Sequence, residues 1–141
     1  MTIEEIQKEI VEEFALFTDW MERYEYLIEL GKALEPFPQE KKREEYLIHG
    51  CQSRVWLFAL YEDGKLLFYA DSDAIITKGI VSLLIKVFSG QKPIEIWKAN
   101  VEFIDKIGLK EHLSPTRANG LLSMIQQIKM YALAHSEMNK A

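Results

Sequence analysis

The chain carries a single cysteine, Cys51, in the run Tyr46-Leu47-Ile48-His49-Gly50-Cys51-Gln52-Ser53-Arg54-Val55-Trp56-Leu57. A thiol becomes a strong nucleophile only as the thiolate. At its unperturbed pKa of about 8.5, a few per cent is ionised at neutral pH. A free cysteine commonly serves as a small buried apolar residue, so the residue type alone does not make a site. The setting sharpens the question. Cys51 falls in a polar break between two strand-like pieces, and Gly50 beside it admits backbone angles closed to other residues. In an extended chain His49 and Cys51 would point to the same side, because side chains repeat every two residues. A nearby imidazole would then favour the thiolate. The competing reading of His49, a strand-end histidine bonded to backbone, carries equal weight. Gln52 and Ser53 are expected to satisfy the backbone of the loop.

Other chemistry-bearing residues are sparse. Arg117 stands near the start of the last expected helix, where the helix dipole disfavours a cation, so a specific partner is expected. Either it lies near Cys51 and holds a thiolate anion, or it pairs with Asp71 or Asp73. Asp73 reads as the cap of the helix after the hairpin, with contact to a protein partner as the alternative. One cysteine and three scattered histidines show no zinc-ligand spacing, and there is no phosphate-binding glycine loop. No cofactor is therefore expected. His112 and His135 sit in unremarkable polar surroundings. Lys41-Lys42-Arg43, followed by Glu44-Glu45, reads as a solvated loop. Trp20, Trp56 and Trp97 lie in patterned apolar segments and are expected in the core.

These residues must be positioned by the elements around them. Thr2 and Glu5 form a capping box ahead of Ile3, Ile6, Ile10, Phe14 and Phe17, which predicts an amphipathic helix reaching about Thr18. Asp19 with Glu22 opens a second helix, for which Gly31 is a plausible stop. Pro36 and Pro38 end helical structure, and a short extended piece fits Glu45–His49. Arg54–Tyr61 and Lys65–Ala70 read as strands joined by Asp63-Gly64, a two-residue hairpin loop in which both residues need positive φ. Both faces of Arg54–Tyr61 are apolar, which predicts a central strand covered on at least part of each face. Asp71-Ser72-Asp73 supplies caps for a strongly apolar helix from about Ala74 to Phe88, with Ile76, Ile80, Leu83, Leu84 and Val87 facing inward. Pro93–Lys98 and Val101–Ile107 read as short helices. Ser114-Pro115 opens the last helix, whose stripe is Leu121, Ile125, Ile128 and Ala132. The expectation is an α+β fold, a small antiparallel sheet with helices packed on it, in one domain spanning 1–141.

Composition narrows the function classes. The 141 residues are 48% hydrophobic and 28% charged, with a formal net charge of −5. The acidic balance argues against a general nucleic-acid binder. No apolar run is long enough to span a membrane, and the acidic, amphipathic start is unlike a signal peptide. One cysteine excludes an internal disulfide, and a reducing, cytoplasmic location is expected.

The run His49-Gly50-Cys51-Gln52-Ser53, followed by basic Arg54 and Val55-Trp56-Leu57, resembles the cysteine loop of the SufE family. Leu113-Ser114-Pro115-Thr116-Arg117-Ala118-Asn119-Gly120-Leu121 resembles that family's second signature. Asp71-Ser72-Asp73-Ala74 with Lys78-Gly79 resembles its third, and Leu30-Gly31-Lys32 with Leu34 the end of its second helix. The similarity runs from about Phe17 to Tyr131. It implies a SufE/IscU-like α+β fold and a sulfur acceptor. Cys51 would take persulfide sulfur from a SufS-type cysteine desulfurase, stimulate that enzyme, and pass the sulfur to an iron–sulfur cluster scaffold. The protein would then be an accessory carrier rather than an independent enzyme, and pyridoxal phosphate would belong to the desulfurase. Each exchange is intermolecular, so one cysteine suffices. The resemblance also implies a loop that tucks Cys51 into an apolar pocket and swings out, with Gly50 as the hinge. The competing readings are a related acceptor for another desulfurase, a non-catalytic desulfurase-binding module, a cysteine hydrolase, and a cluster scaffold, which one thiolate ligand disfavours.

Overall fold

Thr2 starts the first helix by accepting the Glu5 N–H at 3.1 Å, while the Glu5 carboxylate accepts the Thr2 N–H. The computed structural model describes residues 1–51 and 53–138. In it α1 (Ile3–Phe14) buries Ile3, Gln7, Ile10 and Phe14. The helix ends short of Thr18: the Leu16 and Phe17 N–H groups bond back to Glu13 and Phe14 in a tighter turn. Phe17 then lies against Tyr26, with ring centroids 5.0 Å apart. Asp19 accepts the Glu22 N–H at 2.8 Å and opens α2 (Trp20–Lys32).

Gly31 does not stop α2. It lies inside the helix, buried where α2 crosses α3 (Ile75–Phe88). A Cβ on Gly31 would lie 3.0 Å from the Gly79 nitrogen, and one on Gly79 would run into the Leu27 carbonyl. The two glycines let the helix backbones approach closely, and Ser82 Oγ donates across the crossing to the Leu30 carbonyl at 3.1 Å. The other face of α3 packs on the sheet.

That sheet is one hairpin, β1 (Val55–Glu62) antiparallel to β2 (Lys65–Ser72), paired from Val55↔Ser72 to Glu62↔Lys65. Asp63 (φ 52°) and Gly64 (φ 78°) make the expected turn with two positive φ values. Val55, Leu57, Leu66, Phe68 and Ala70 join the main core with α3. The opposite face has its own cover. The segment after α2 folds through two single-turn 3-10 helices, Gln39–Lys41 and Glu44–Tyr46, and lays Phe37, Tyr46 and Leu47 over Trp56, Phe58 and Tyr69. This explains the two apolar faces of β1. It also corrects the expectation of a central strand: among the described residues β1 pairs with β2 on one side and with a single bridge from Leu47 at Trp56 on the other. The outer end, Leu60 and Tyr61, is exposed.

The basic run on this segment is less solvated than expected. The Lys42 ammonium pairs with Asp71 at 3.0 Å and lies 5.2 Å from the Trp56 ring centroid. Lys41 lies 5.2 Å from Tyr46 and 5.4 Å from Phe58. Only Arg43 of the three is exposed. Two lysine stems seal the aromatic cluster while their heads meet ring faces or a carboxylate.

The remaining helices are α4 (Pro93–Lys98), α5 (Phe103–Lys106), α6 (Leu109–His112) and α7 (Pro115–Met138). The short helix expected over Val101–Ile107 is the single turn α5, and α6 is a further turn beyond it. Gly108 (φ 71°) separates them, and His112 on the second stacks on Trp20 with ring centroids 3.8 Å apart. Ser114 accepts the Arg117 N–H at 3.3 Å and caps α7. Leu121, Ile125, Ile128 and Ala132 are buried as expected, together with Met124. Lys129 donates to the Trp97 and Ala99 carbonyls, tying α7 to the end of α4. Trp97 itself is 40% exposed rather than in the core. Among the described residues no helix is long and apolar enough to cross a membrane.

The helix crossing makes a stability prediction. Gly79→Ala forces a methyl into a backbone carbonyl and is expected to cost about 3 kcal/mol. Gly64→Ala meets no atom within 4 Å, and only its left-handed backbone opposes it, at about 1 kcal/mol. Urea midpoints of the two variants should fall in that order, and a Gly79→Ala protein as stable as the native one would refute the tight crossing.

Candidate functional site

The loop around Cys51 begins where strand-like pairing ends. Ile48 donates to the Val55 carbonyl at 2.9 Å, and the chain then turns through His49 and Gly50. Gly50 has φ 93°, and a Cβ there would lie 2.6 Å from Ser123 Oγ on α7. The left-handed backbone favours glycine, and a side chain there would also have to displace the Ser123 hydroxyl. The same φ removes the extended geometry that would align His49 with Cys51. His49 is exposed and, among the described residues, makes no hydrogen bond to Cys51. Gln52 lies outside the described residues.

Cys51 is half-buried, and its thiol donates to the Gly120 carbonyl on α7 at 3.6 Å. A Cβ on Gly120 would lie 3.3 Å from the sulfur. α7 therefore presents bare backbone to the thiol. Burial pushes the Cys51 pKa up, so the resting group is a protonated thiol held on a carbonyl.

On the far side of the loop, Ser53 Oγ donates to Thr77 Oγ1 at 3.3 Å. The Arg54 N–H donates to the Asp73 carboxylate at 3.0 Å, and the Asp73 N–H returns a bond to the Arg54 carbonyl. This corrects the expected role of Asp73. Its carboxylate fastens the end of the cysteine loop to the β2–α3 junction instead of capping α3. Ser72 Oγ takes the Ala74 N–H at 3.2 Å, and the N-cap residue of α3, Ala74, has no side chain able to bond its first turn.

Cys51, Ser53, Asp73, Thr77, Arg117 and Gly120 line one cleft of about 480 Å³, over apolar groups of Ile80 and Met124. The structure thus brings Asp73 and Arg117 to the cysteine and leaves His49 out of the cleft. Arg117 is exposed, and among the described residues it forms no ion pair with Asp71 or Asp73. Asp71 is taken by Lys42 at 3.0 Å and Lys78 at 3.3 Å. Burial alone would raise the Asp71 carboxyl; the Lys42 bond, the Ser72 N–H and Lys78 outweigh it and hold its pKa below the ordinary value.

Gly120 and Thr77 were not singled out as site residues by sequence reasoning. A signal for Gly120 existed: it falls inside the helix expected after Ser114, where glycine costs roughly 1 kcal/mol against alanine and so needs a reason. Nothing comparable marks Thr77. Among the described residues there is no cluster of three or more His, Cys, Asp or Glu able to hold a metal ion.

Residues 8–132 match the family described as "SufE: Fe-S metabolism associated domain". The chain belongs to the SufE family. It is 43% identical over 129 residues to an uncharacterized SufE-like protein of Rhizobium meliloti, covering 88% of this chain and 92% of the relative. An uncharacterized SufE-like protein of Synechocystis is 42% identical over 125 residues, covering 89% and 79%. The solution structure of a hypothetical protein from Thermus thermophilus superposes with a TM-score of 0.75 over 92% of this chain and 94% of that one. At 24% identity this likeness establishes the α+β fold alone.

Two reactivity predictions follow from the SufE-family cysteine cleft. The rate of Cys51 alkylation by iodoacetamide should titrate with a midpoint above about 8.5, because burial disfavours the thiolate. A midpoint below that value would mean that a cation, not burial, dominates. Gly120→Ala should crowd the sulfur outward and speed alkylation at neutral pH by about threefold, equivalent to half a pKa unit. An unchanged rate would show that the contact with α7 does not restrain the thiol.

Proposed function

We propose that this SufE-family protein is a sulfur acceptor and carrier acting on Cys51. A SufS-type cysteine desulfurase presents a persulfide on its own cysteine. The Cys51 thiolate attacks the terminal sulfur, a new S–S bond forms on Cys51, and the old S–S bond breaks with its electron pair going to the desulfurase thiolate. Removal of that sulfur frees the desulfurase for another turnover, which is how the carrier stimulates it. A second exchange of the same form passes the sulfur to an iron–sulfur cluster scaffold. The chain's only cysteine, half-buried in a cleft with its thiol on a backbone carbonyl, is the observation that carries this reading.

The site suits the task in three ways. Its partly apolar walls limit access of reductant to a carried persulfide. Arg117 on the cleft supplies a cation for the persulfide anion. No second cysteine within the chain can expel the sulfur by forming a disulfide. Pyridoxal phosphate remains with the desulfurase, and the reducing cytoplasm is the compartment in which a lone functional thiol is at home.

Intact mass is the test. The protein is mixed with a SufS-type desulfurase, pyridoxal phosphate and cysteine, without reductant. The native chain is expected to gain the mass of one sulfur atom, and Cys51→Ser is expected to gain none and to abolish stimulation of desulfurase turnover. Stimulation that survives in Cys51→Ser would replace the carrier reading with that of a binding module.

A further inference from the structure

The cleft at Cys51 holds two opposite charges that form no ion pair among the described residues. Asp73 comes from the β2–α3 junction and Arg117 from the first turn of α7. The Asp73 carboxylate accepts one backbone N–H, from Arg54, and forms no ion pair among the described residues. The Arg117 guanidinium has no partner among them either, and the two do not pair with each other. Asp71, two residues before Asp73, is by contrast paired with Lys42 and Lys78. Opposite charges sharing one cleft without meeting are complementary to a ligand that carries both an ammonium and a carboxylate. The cleft, at about 480 Å³, falls within the usual range for small-molecule sites, about 300–1,000 Å³.

We propose that the cleft admits a zwitterionic amino-acid persulfide, of which L-cysteine persulfide is the simplest, as a second source of sulfur for Cys51. The ammonium group faces Asp73 and the carboxylate faces Arg117, which leaves the persulfide end for Cys51. The Cys51 thiolate attacks the terminal sulfur of the persulfide. A bond forms between Sγ and that sulfur, the S–S bond of the ligand breaks, and the electron pair leaves on the amino-acid thiolate, which takes up a proton. The products are the Cys51 persulfide and the free amino-acid thiol, so no added oxidant or reductant is required. This proposal rests on the reading of Cys51 as a sulfur acceptor and extends its donor from a protein to a small molecule.

The test compares the rates at which intact protein gains one sulfur from three persulfides, each made by treating the matching disulfide with sodium sulfide. They are L-cysteine persulfide, N-acetyl-L-cysteine persulfide, which lacks the ammonium, and cysteamine persulfide, which lacks the carboxylate. Mixed disulfides are separated by their larger mass. Leaving thiols differ in acidity, so the readout is how the rate ratios change between native and variant protein. Asp73→Asn keeps an acceptor for the Arg54 N–H and removes the charge. It is expected to lower the ratio of L-cysteine to N-acetyl-L-cysteine persulfide by about fivefold, and Arg117→Gln to lower the ratio of L-cysteine to cysteamine persulfide by a similar factor. Ratios unchanged by both substitutions would overturn the proposal. If the variants slow loading from the desulfurase while those ratios hold, the charges serve protein docking, and the proposal falls while the carrier reading stands. Failure of Cys51 to load from the desulfurase or from any persulfide would remove the carrier reading itself, and this proposal with it.

Discussion

The close approach of α7 to the cysteine loop is the constraint on which the site depends. The Gly120 carbonyl holds the thiol, and the missing side chain at Gly120 leaves 3.3 Å between sulfur and the place a methyl would occupy. One turn further on, Ser123 fills the space a side chain at Gly50 would need. Such contacts are set to a few tenths of an ångström, so α7 must be fixed to that precision from elsewhere. Its Ser114 cap, its buried stripe and the Lys129 bonds to the end of α4 do this from one side. The α2–α3 crossing does it from the other, because α3 carries Thr77 and Ile80 into the same cleft.

The resulting site holds reactivity in check. Sulfur chemistry requires the thiolate, while burial and the Gly120 carbonyl both favour the neutral thiol. Within the proposed function this opposition has a use: a thiol that stays protonated at rest does not react with passing electrophiles. A partner that draws the loop off α7 would remove the desolvation and the carbonyl contact together. The loop's anchors have unequal character for such a motion. The Arg54–Asp73 pair and the Ser53–Thr77 bond lie on the strand side, whereas the cysteine contacts α7 through one weak sulfur hydrogen bond.

Much of this was legible in the residues. Capping patterns placed the starts of α1, α2 and α7, and Asp63-Gly64 placed the hairpin turn, because each is a local rule satisfied by neighbours in sequence. The errors arose where distant residues decide. Gly31 reads as a helix stop until Gly79 is brought against it. Asp73 reads as a helix cap until the Arg54 N–H, nineteen residues away, claims its carboxylate. Lys41 and Lys42 read as solvated until the aromatic cover of the sheet lies beneath them. At the site, the structure places Cys51 and Arg117 in one cleft, the first of the two readings of Arg117, and adds Asp73, which reads as a helix cap in sequence, while the alignment of His49 with Cys51 assumes an extended backbone that Gly50 breaks.

A persulfide exchange makes and breaks the same kind of bond, so a carrier needs no large supply of transition-state stabilisation. Under the proposed function, what the protein can control is which sulfur reaches Cys51 and in what protonation state the thiol meets it. Both are properties of the cleft rather than of a separate catalytic apparatus. This fits a cleft that, among the described residues, combines one thiol, two charges without an ion pair and bare helix backbone. The charges also act against the background of the whole molecule. With a formal net charge of −5, the surface repels small anionic persulfides at long range. Arg117 on the cleft is a local exception to that field, placed where the proposed function would have a negative sulfur species received.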